Sequence, residues 1–326
     1  MASFAVGVVL SLVAAFSWGT SMVIFKVGVK NVDPLAATYI KGLFAIPVLL
    51  ILGFIIDGIY TYSKLMSGFN LLWLFLGVIC LTLGDFLSLS ALKKVDVSIA
   101  QPVTSIYPIF TTLTLLIAKI EDITWFIVGG TLLISSGVIL ISYFSRKNDM
   151  INLKASKDSM ETDEFEQKKK ALPMGISLSI SAAVFWGIAI VFNRLILEDQ
   201  TIEVVPLMAL RNGLMVVLVA IYGFTRFFIN KEKFRSKVFA PRKEALILMA
   251  GGTVSWIGGG VVFFTAVQLL QSAGITTPIS SISPLIVMIL GSIFLKEKIT
   301  LPQVLGVIVI VAGSIVLSIP ELLSSI

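Results

Sequence analysis

The chain has 326 residues, of which 57% are hydrophobic and only 13% charged, with a formal net charge of +6 and a mean hydropathy of +1.00. Because soluble domains carry about 25% charged residues, this composition excludes an ordinary soluble fold. Apolar runs of about 20 residues, each long enough to span a bilayer, recur along the chain and predict an all-α polytopic membrane protein.

The sequence contains no histidine and a single cysteine, Cys80. Histidine is the commonest metal ligand and general base. A Gly-rich phosphate loop followed by Lys and Ser or Thr is also missing from the sequence, which argues against an ATP-driven motor. We therefore expect no metal, no cofactor, no enzymatic activity and no nucleic-acid partner. The expected partners are a small organic solute and the lipid bilayer.

Ten membrane-spanning helices are predicted from the apolar runs. Their predicted bounds are 4–28, 35–56, 70–92, 97–118, 124–145, 173–196, 204–227, 244–269, 274–295 and 302–319. The longest polar segment, 146–172, is predicted to be a solvated linker between the fifth and sixth helices. The chain thus divides into a first five-helix unit, 1–145, and a second, 173–326.

The basic residues are distributed unevenly between the predicted loops. Of the 25 Lys and Arg residues, 20 fall in odd-numbered loops and three in even-numbered loops, while Lys41 and Arg211 lie within predicted helices. Cytoplasmic loops of membrane proteins carry the excess of Lys and Arg. The distribution predicts a multi-pass protein of the cell membrane with cytoplasmic odd-numbered loops and both termini outside.

The second half of the chain repeats the first. "SIYPIFTTLTLLIAKIEDIT" (Ser105–Thr124) corresponds to "SISPLIVMILGSIFLKEKIT" (Ser281–Thr300) at a shift of 176 residues. At this shift, 14 of the 41 positions in 102–142 are identical, without a gap. Nearer the start of each half, the shift is about 168 to 170, and "FSWGTSMVIFK" (Phe16–Lys26) matches "VFWGIAIVFNR" (Val184–Arg194).

An odd number of helices per unit makes the second unit enter the membrane from the opposite side. The charges of corresponding turns support this inversion, because related turns differ in charge. The turn after the third helix contains Lys93 and Lys94, whereas the corresponding turn of the second half contains the neutral residues Gln268 and Gln271. Inverted repeats of this kind occur in many secondary transporters, which hold substrate near the midplane and work by alternating access. We therefore predict two inverted five-helix repeats around a central cavity.

In these features the two halves resemble the two EamA units of the drug/metabolite transporter superfamily. Each half has a Trp-Gly pair in its first helix, a cation early in its second, two prolines in its fourth and a glycine pair in its fifth. The fourth helix of each half leads to Glu121–Thr124 (EDIT) or Glu297–Thr300 (EKIT). The resemblance implies a ten-helix secondary transporter of small organic metabolites, such as amino acids or related solutes, with export the expected direction and protons or exchange as the driving force.

Three ionisable residues are predicted within the helices and are candidates for substrate binding. Lys41 and Arg211 are related by the repeat, and two cations at the membrane midplane would attract a carboxylate or phosphate group; the alternative is that both extend to the membrane interface. Asp85 lies in "TLGDFLSLS", and its counterpart is about Val261. It has two candidate roles: carrying a proton in each cycle, or neutralising one of the cations.

Further candidates come from aromatic and polar residues. Trp18 and Trp186 are predicted at mid-helix, away from the interfacial belts where Trp is usually found, and an indole there can form a cavity wall. Ser17, Gln101 and Tyr107 are polar residues that the repeat does not match. Because a substrate is not symmetric, we expect unmatched polar residues to contribute to its recognition.

Prolines and glycines define two structural predictions. Prolines kink helices and free backbone carbonyls, which a membrane tolerates only in contact with protein or a wet cavity. The helices predicted to kink and line the pathway carry Pro102, Pro108, Pro278 and Pro284. Glycines seven residues apart lie on one helix face and allow close packing. The pairs predicted to join the fifth and tenth helices are Gly130 with Gly137 and Gly306 with Gly313.

Two other functions remain open from the sequence. The cation pair would also suit an exchanger of phosphorylated or nucleotide-linked metabolites, and a membrane scaffold without transport activity is a further alternative. Two units in one chain suffice for a complete cavity, so a monomer is sufficient, although a dimer is compatible with the same sequence.

Overall fold

The computed structural model of the chain describes residues 2–119, 125–155, 162–229 and 240–324. These residues form helices and connecting turns, and no strand occurs among them. Eight helical segments within the described ranges are long and apolar enough to cross a membrane. They are Phe4–Gly28, Pro34–Asp57, Gly68–Leu92, Val97–Ile117, Lys170–Ile196, Val204–Gly223, Arg242–Leu270 and Thr276–Leu295.

Two shorter apolar segments, Leu132–Ile141 and Leu301–Val316, lie where the fifth and tenth spans are predicted. The protein is therefore a multi-pass membrane protein, and the prediction of an all-α membrane fold is confirmed at this level. Glu121, Thr124 and most of the charged stretch 230–244 lie outside the described residues.

The helices follow one another in chain order, and we number them α1 to α15. Their bounds are α1 Ala2–Gly28, α2 Pro34–Ile40, α3 Gly42–Asp57, α4 Tyr60–Leu65, α5 Gly68–Leu92, α6 Val97–Thr104, α7 Tyr107–Ile117, α8 Trp125–Ala155, α9 Thr162–Ile196, α10 Val204–Ile229, α11 Arg242–Thr253, α12 Val262–Leu270, α13 Ala273–Ser280, α14 Ser283–Leu290 and α15 Leu301–Ser324. Two π-helical segments, Val254–Val261 and Gly291–Leu295, continue α11 and α14.

The fourth and ninth predicted spans are each two helices rather than one kinked helix. α6 is separated from α7 around Ser105, and α13 from α14 around Ser281. Pro108 and Pro284 lie in the first turn of the helix that follows each break. Proline fits there because its missing N–H has no partner in a first helical turn. The second span is also interrupted, at Lys41, which lies between α2 and α3.

The segment predicted to be a solvated linker is largely helical where it is described. α8 continues to Ala155 and α9 begins at Thr162, so both helices extend beyond the predicted membrane bounds. The sequence 146–155 lacks Gly and Pro. Because extending an existing helix costs far less than starting one, the two membrane helices continue into the charged segment.

The π-helical segment Val254–Val261 was not predicted from the sequence. A π turn accommodates one residue more than an α turn and occurs frequently at functional sites. Here it contains the run Gly258–Gly260 and continues directly into α12. It brings Ser255 and Trp256 to the centre of the molecule.

α8 and α15 pack closely along their glycines. A Cβ at Gly137 would lie 2.6 Å from the carbonyl oxygen of Gly306, and a Cβ at Gly313 would lie 2.8 Å from that of Gly130. Since real Cβ atoms do not approach backbone oxygens this closely, side chains at these positions would push the helices apart. The structure thus brings together all four glycines that the sequence assigns to this contact.

Contacts between turns fall into two groups at opposite ends of the helices. At one end, Lys26 donates to the carbonyl oxygens of Leu92 and Val95, at 2.8 and 2.6 Å. At the same end, the Glu297 carboxylate accepts from the backbone N–H groups of Val97 and Ser98, each at 3.0 Å. The two bonds to Glu297 satisfy free N–H donors at the start of α6. Together with the bonds of Lys26, they join the turns that follow the first, third and ninth predicted spans.

At the opposite end of the helices, the turns are joined by an ion pair between Lys64 and Asp199, with 2.9 Å between Nζ and Oδ2. Lys64 also donates to the hydroxyl of Thr201. The Thr201 hydroxyl, then Lys64 and the Thr201 backbone N–H, donate to the carboxylate and lower the pKa of Asp199 to about 2. The hydrogen bond to Asp199 raises the pKa of Lys64. This ion pair connects the turns after the second and sixth spans.

Candidate functional site

A cavity of about 120 Å³ lies between the helices of the first half and those of the second. α1, α5, α9 and α10, the segments around the breaks after α6 and α13, and the π-helical segment Val254–Val261 contribute to its wall. Seven of the eight substrate-binding candidates named from the sequence line it: Trp18, Lys41, Asp85, Gln101, Tyr107, Trp186 and Arg211.

Lys41 and Asp85 form a buried ion pair in the cavity wall. The Lys41 ammonium donates to Oδ2 of Asp85, and the side chains are 3% and 7% exposed. The indole N–H of Trp186 donates to the other carboxylate oxygen at 3.1 Å. The ammonium also lies 5.3 Å from the ring centre of Trp256 and 5.4 Å from that of Phe25. Lys41 therefore does not extend to the membrane interface.

The two mid-helix tryptophans make corresponding contacts. Trp186 packs against Gly84, where a Cβ would lie 2.5 Å from Cδ1 of the ring, and Trp18 packs against Gly259 in the same way. The indole N–H of Trp18 donates to the carbonyl oxygen of Ser255 at 3.2 Å. The glycine pairing therefore relates the two tryptophan sites.

This pairing also places the counterpart of Asp85 at Gly260, one residue before the Val261 expected from the sequence. The shift between the two halves is therefore 175 residues at this point, one less than over 102–142. Arg211 lies beside this glycine, with 4.0 Å between its Nη2 and the position of a Cβ at Gly260.

Arg211 is buried, with 5% exposure, and it lines the cavity. Its Nε and Nη2 donate to Oδ1 of the neighbouring Asn212 at 3.3 and 3.2 Å. Its guanidinium carbon lies 5.0 Å from the ring centre of Phe264. Among the described residues, no carboxylate lies within ion-pair distance of Arg211. The two cations therefore have different partners, although they occupy equivalent positions in the repeat.

Gln101 and Tyr107 lie where the two broken helices cross. The Gln101 amide donates to the Ser283 hydroxyl at 2.9 Å, and the Tyr107 hydroxyl lies 2.6 Å from that of Ser280. These bonds connect the α6–α7 break to the α13–α14 break. Both residues also line the cavity, so they join the two halves at its wall.

Ser17 and the prolines lie beside the cavity rather than in its wall. Ser17 packs against Gly258, with its Oγ 3.0 Å from the position of a Cβ there. Ser17 and Trp18 both contact the π-helical segment, but Trp18 lines the cavity and Ser17 does not. Lining residues adjoin three of the prolines, which are Pro102, Pro108 and Pro284.

Several cavity residues were not identified from the sequence. Ser88 and Asn193 line the cavity, and the Ser88 hydroxyl and the Asn193 carbonyl oxygen have no hydrogen-bond partner among the described protein groups. Trp256 is a third tryptophan at mid-helix, so its position in the sequence is the same signal that marks Trp18 and Trp186. The two polar residues carry no comparable signal, because Ser and Asn also occur in ordinary helix packing.

The wall combines one ion pair, one further cation and unpartnered polar groups with aromatic rings. Such a cavity can orient a small polar molecule and hold its apolar part. No group of three or more metal-binding side chains occurs in the part of the chain that the structure describes. The cavity is therefore the candidate binding site among the membrane helices.

The sequence profile of the EamA-like transporter family matches this chain twice, over residues 5–143 and 173–319. An uncharacterized transporter of Archaeoglobus fulgidus is 23% identical over 323 residues, which cover 97% of this chain and 99% of that protein. An uncharacterized protein of Methanocaldococcus jannaschii is 29% identical over 144 residues, which cover 44% of this chain and 96% of that protein.

A crystal structure of another protein superposes on this chain with a TM-score of 0.63 and 16% sequence identity. The match covers 97% of this chain and 98% of the other. At this level of identity, the similarity establishes a shared fold.

Proposed function

The chain belongs to the EamA-like transporter family, whose profile matches both of its halves, and on that premise we propose that it is a secondary active transporter of small organic metabolites. The central cavity with its Lys41–Asp85 ion pair is the observation that carries this proposal, because charged groups within membrane helices mark solute pathways. The expected substrates are amino acids or related solutes, and the expected direction is export.

The proposed architecture is two inverted five-helix repeats, 1–145 and 173–326, with 146–172 between them. Corresponding contacts support it. Gly19 of α1 packs against Ile286 of α14, and Gly187 of α9 packs against Phe110 of α7, so each half places its first-span glycine against the broken helix of the other half. The relative from M. jannaschii, which matches 44% of this chain over 96% of its own length, has about the size of one such unit.

The proposed topology places odd-numbered loops in the cytoplasm and both termini outside. The contacts of Lys26 and Glu297 join only odd-numbered turns, and the Lys64–Asp199 ion pair joins even-numbered turns. This separation is expected if each of the ten predicted spans crosses the bilayer. The excess of Lys and Arg in the odd-numbered loops gives the orientation.

Alternating access is proposed to proceed by bending at the two helix breaks. The hydrogen bonds between Gln101 and Ser283 and between Tyr107 and Ser280 join these breaks directly. Movement of one broken helix would therefore be transmitted to the other. A monomer contains both breaks and the whole cavity.

Asp85 is proposed as the residue that would link transport to protons. Its ion pair with Lys41 also supports the second role, which is neutralising a buried cation. Net uptake by the parent protein distinguishes the two roles. A residue that carries a proton predicts accumulation driven by an imposed pH gradient, whereas a fixed ion pair predicts exchange that does not depend on the gradient.

The exchange of phosphorylated metabolites is a second candidate function. Arg211 favours it, because a guanidinium with free N–H groups binds phosphate as readily as carboxylate. The cavity of about 120 Å³ is similar in size to one that binds benzene, which favours the first candidate over a nucleotide-linked compound.

Counterflow in proteoliposomes tests the proposed function. Vesicles containing the purified protein are loaded with unlabelled amino acids, carboxylates and phosphorylated metabolites, and the uptake of each labelled solute is followed by mass spectrometry. A transporter exchanges solutes unchanged, whereas an enzyme converts them. If no solute exchanges faster than in protein-free vesicles, the proposal is wrong.

A test variant and a matched control, both Ser→Leu, examine whether the solute passes through the cavity. Ser88→Leu fills the cavity and is expected to abolish exchange, whereas Ser136→Leu adds the same side chain on the exposed face of α8. If both variants exchange at the parental rate, the solute does not pass through this cavity.

A further inference from the structure

The charges in the cavity wall are not balanced. Lys41 is neutralised by Asp85, and Arg211 lies near Gly260, where the second half has no carboxylate. The wall therefore contains two cations and one anion, a net charge of one positive unit at neutral pH. Asp85 contacts Lys41 and also attracts Arg211 from a longer distance, so Arg211 is the cation of the wall that has no carboxylate in contact.

Arg211 lines the cavity and has hydrogen-bond donors that are not used by the described residues. A guanidinium has five N–H groups, and two of its nitrogens, Nε and Nη2, donate to Asn212. Both bonds use the same edge of the group, so the Nη1–Nη2 edge has no acceptor among the described residues. An edge of this kind can bind a carboxylate through two parallel hydrogen bonds.

The orientation of the guanidinium is fixed before any ligand arrives. Asn212 holds one edge and Phe264 covers one face, with 5.0 Å between the guanidinium carbon and the ring centre. A side chain that is already oriented loses less entropy when it binds. A buried cation without an anion is costly, so a ligand that carries one negative charge gains both hydrogen bonds and charge balance.

The remainder of the wall is suited to an apolar group. Aromatic rings form much of it, including Trp18, Trp186, Trp256 and Phe264. The volume of about 120 Å³ is comparable to that of an engineered cavity of roughly 150 Å³ that binds benzene. The size and the rings favour a compact ligand with one apolar body.

We propose that the cavity selects small monocarboxylates with an apolar body, bound through the free edge of Arg211. This inference rests on the proposed transporter function, and within the expected solutes it selects monocarboxylates without an ammonium group over the amino acids themselves. An α-amino acid brings an ammonium group, and Asp85, the only carboxylate among the described residues of the wall, is already paired with Lys41 and Trp186. A phosphate ester brings a second negative charge that no second free cation balances. An amine without a carboxylate would place its ammonium group beside the Arg211 guanidinium, and the two positive charges would repel each other.

A substitution at Gly260 tests the charge argument directly. Gly260→Asp supplies the second half with the carboxylate that Asp85 supplies to the first, so it pairs with Arg211 and removes the net charge. Gly260→Asn has nearly the same size without the charge and is the matched control. Both require the end of the Met208 side chain to move, because its Cε lies 2.5 Å from the position of a Cβ.

The probes are phenylacetate, phenylglycine, benzylamine and phenyl phosphate, and binding is measured by calorimetry with the purified protein. We expect phenylacetate to bind most tightly. Gly260→Asp is expected to weaken it by about 30-fold or more, since the loss of one partner of a buried charge pair has effects of this size, while Gly260→Asn changes it far less. If both variants fail to fold, Arg211→Met and Arg211→Lys replace them, with loss expected in the first and partial retention in the second.

The outcomes separate this inference from the proposed function. If phenylglycine, benzylamine or phenyl phosphate binds as tightly as phenylacetate, or none of the four binds, the inference is overturned. Equal affinity in the Asp and Asn variants at position 260 also overturns it. Counterflow with the same probes tests transport separately: phenylacetate that binds but is not exchanged contradicts the transporter function and leaves the anion site in place.

Discussion

The first and second halves of the chain place a cation at the same point of the repeat and treat it differently. Lys41 in the first half is held by Asp85, while Arg211 in the second half faces Gly260 and bonds only to its neighbour Asn212 among the described residues. The tryptophan–glycine contacts around the two sites correspond closely. A single carboxylate therefore pairs one cation and leaves the other without an anion in contact.

The largest expected effect comes from breaking the first-half ion pair. Asp85→Asn preserves the hydrogen bond from Trp186 but leaves the Lys41 ammonium buried without an anion. Removing one partner of a buried ion pair costs about 3–5 kcal/mol, and we expect a loss of this size in thermal or denaturant unfolding in detergent. The double variant Lys41→Met/Asp85→Leu removes both charges and should recover most of the loss. A full loss in the double variant would show that the charges themselves are not the cause.

Removing the second cation should affect binding rather than folding. Arg211→Met removes the unbalanced charge and keeps a long apolar side chain beside Phe264. We expect stability equal to or above that of the parent, because a buried unpaired charge is lost, and a loss of anion binding of about 30-fold or more. The measurements are unfolding and calorimetry on the same preparation. A destabilisation as large as that of Asp85→Asn would mean that Arg211 is as structural as Lys41.

The glycines under the two tryptophans sharpen the comparison, because here the halves should behave alike. Gly84→Ala and Gly259→Ala each place a methyl group against an indole ring. Overpacking of this kind costs about 1–3 kcal/mol, and we expect the two losses in thermal stability to be similar. A loss in only one variant would mean that the surroundings of Trp18 and Trp186 differ more than their contacts indicate.

The smallest expected effect concerns the ion pair that joins the halves at one end. The pKa of Asp199 is lowered to about 2, so its contribution to stability is present above the unfolded pKa and is lost as the pH falls through about 2. The pKa of Lys64 is raised, so its contribution is present below its ordinary value and is lost as the pH rises through the raised one. Because the pair is exposed to solvent, its contribution to stability is small.

Thermal unfolding of the parent and of Asp199→Asn from pH 3 to pH 9 measures this contribution. The difference should be small, constant from about pH 5 to pH 9, and reduced towards pH 3. Glu203→Gln, in the same turn, is the matched control. A difference that grows on acidification would contradict the assignment.

Much of the fold and most of the candidate site follow from the sequence. The Gly130, Gly137, Gly306 and Gly313 contact and seven cavity residues were selected from the repeat and from polar or aromatic residues at mid-helix. The π-helical segment does not follow from the sequence, because its apolar run is compatible with an ordinary α-helix. Ser88 and Asn193 were not identified either, since small polar residues are common in helix packing and only their surroundings distinguish them.

The sequence by itself determined the membrane helices, the repeat and the three ionisable residues within the helices. These are local properties: apolar length decides whether a segment enters the bilayer, and the cost of a buried charge makes each exception visible. The tertiary structure decided which cation has a partner. Lys41 and Asp85 are 44 residues apart, and Glu297 caps the N–H groups of α6 from 200 residues away. Such pairings depend on how helices pack, and packing is a property of the whole molecule.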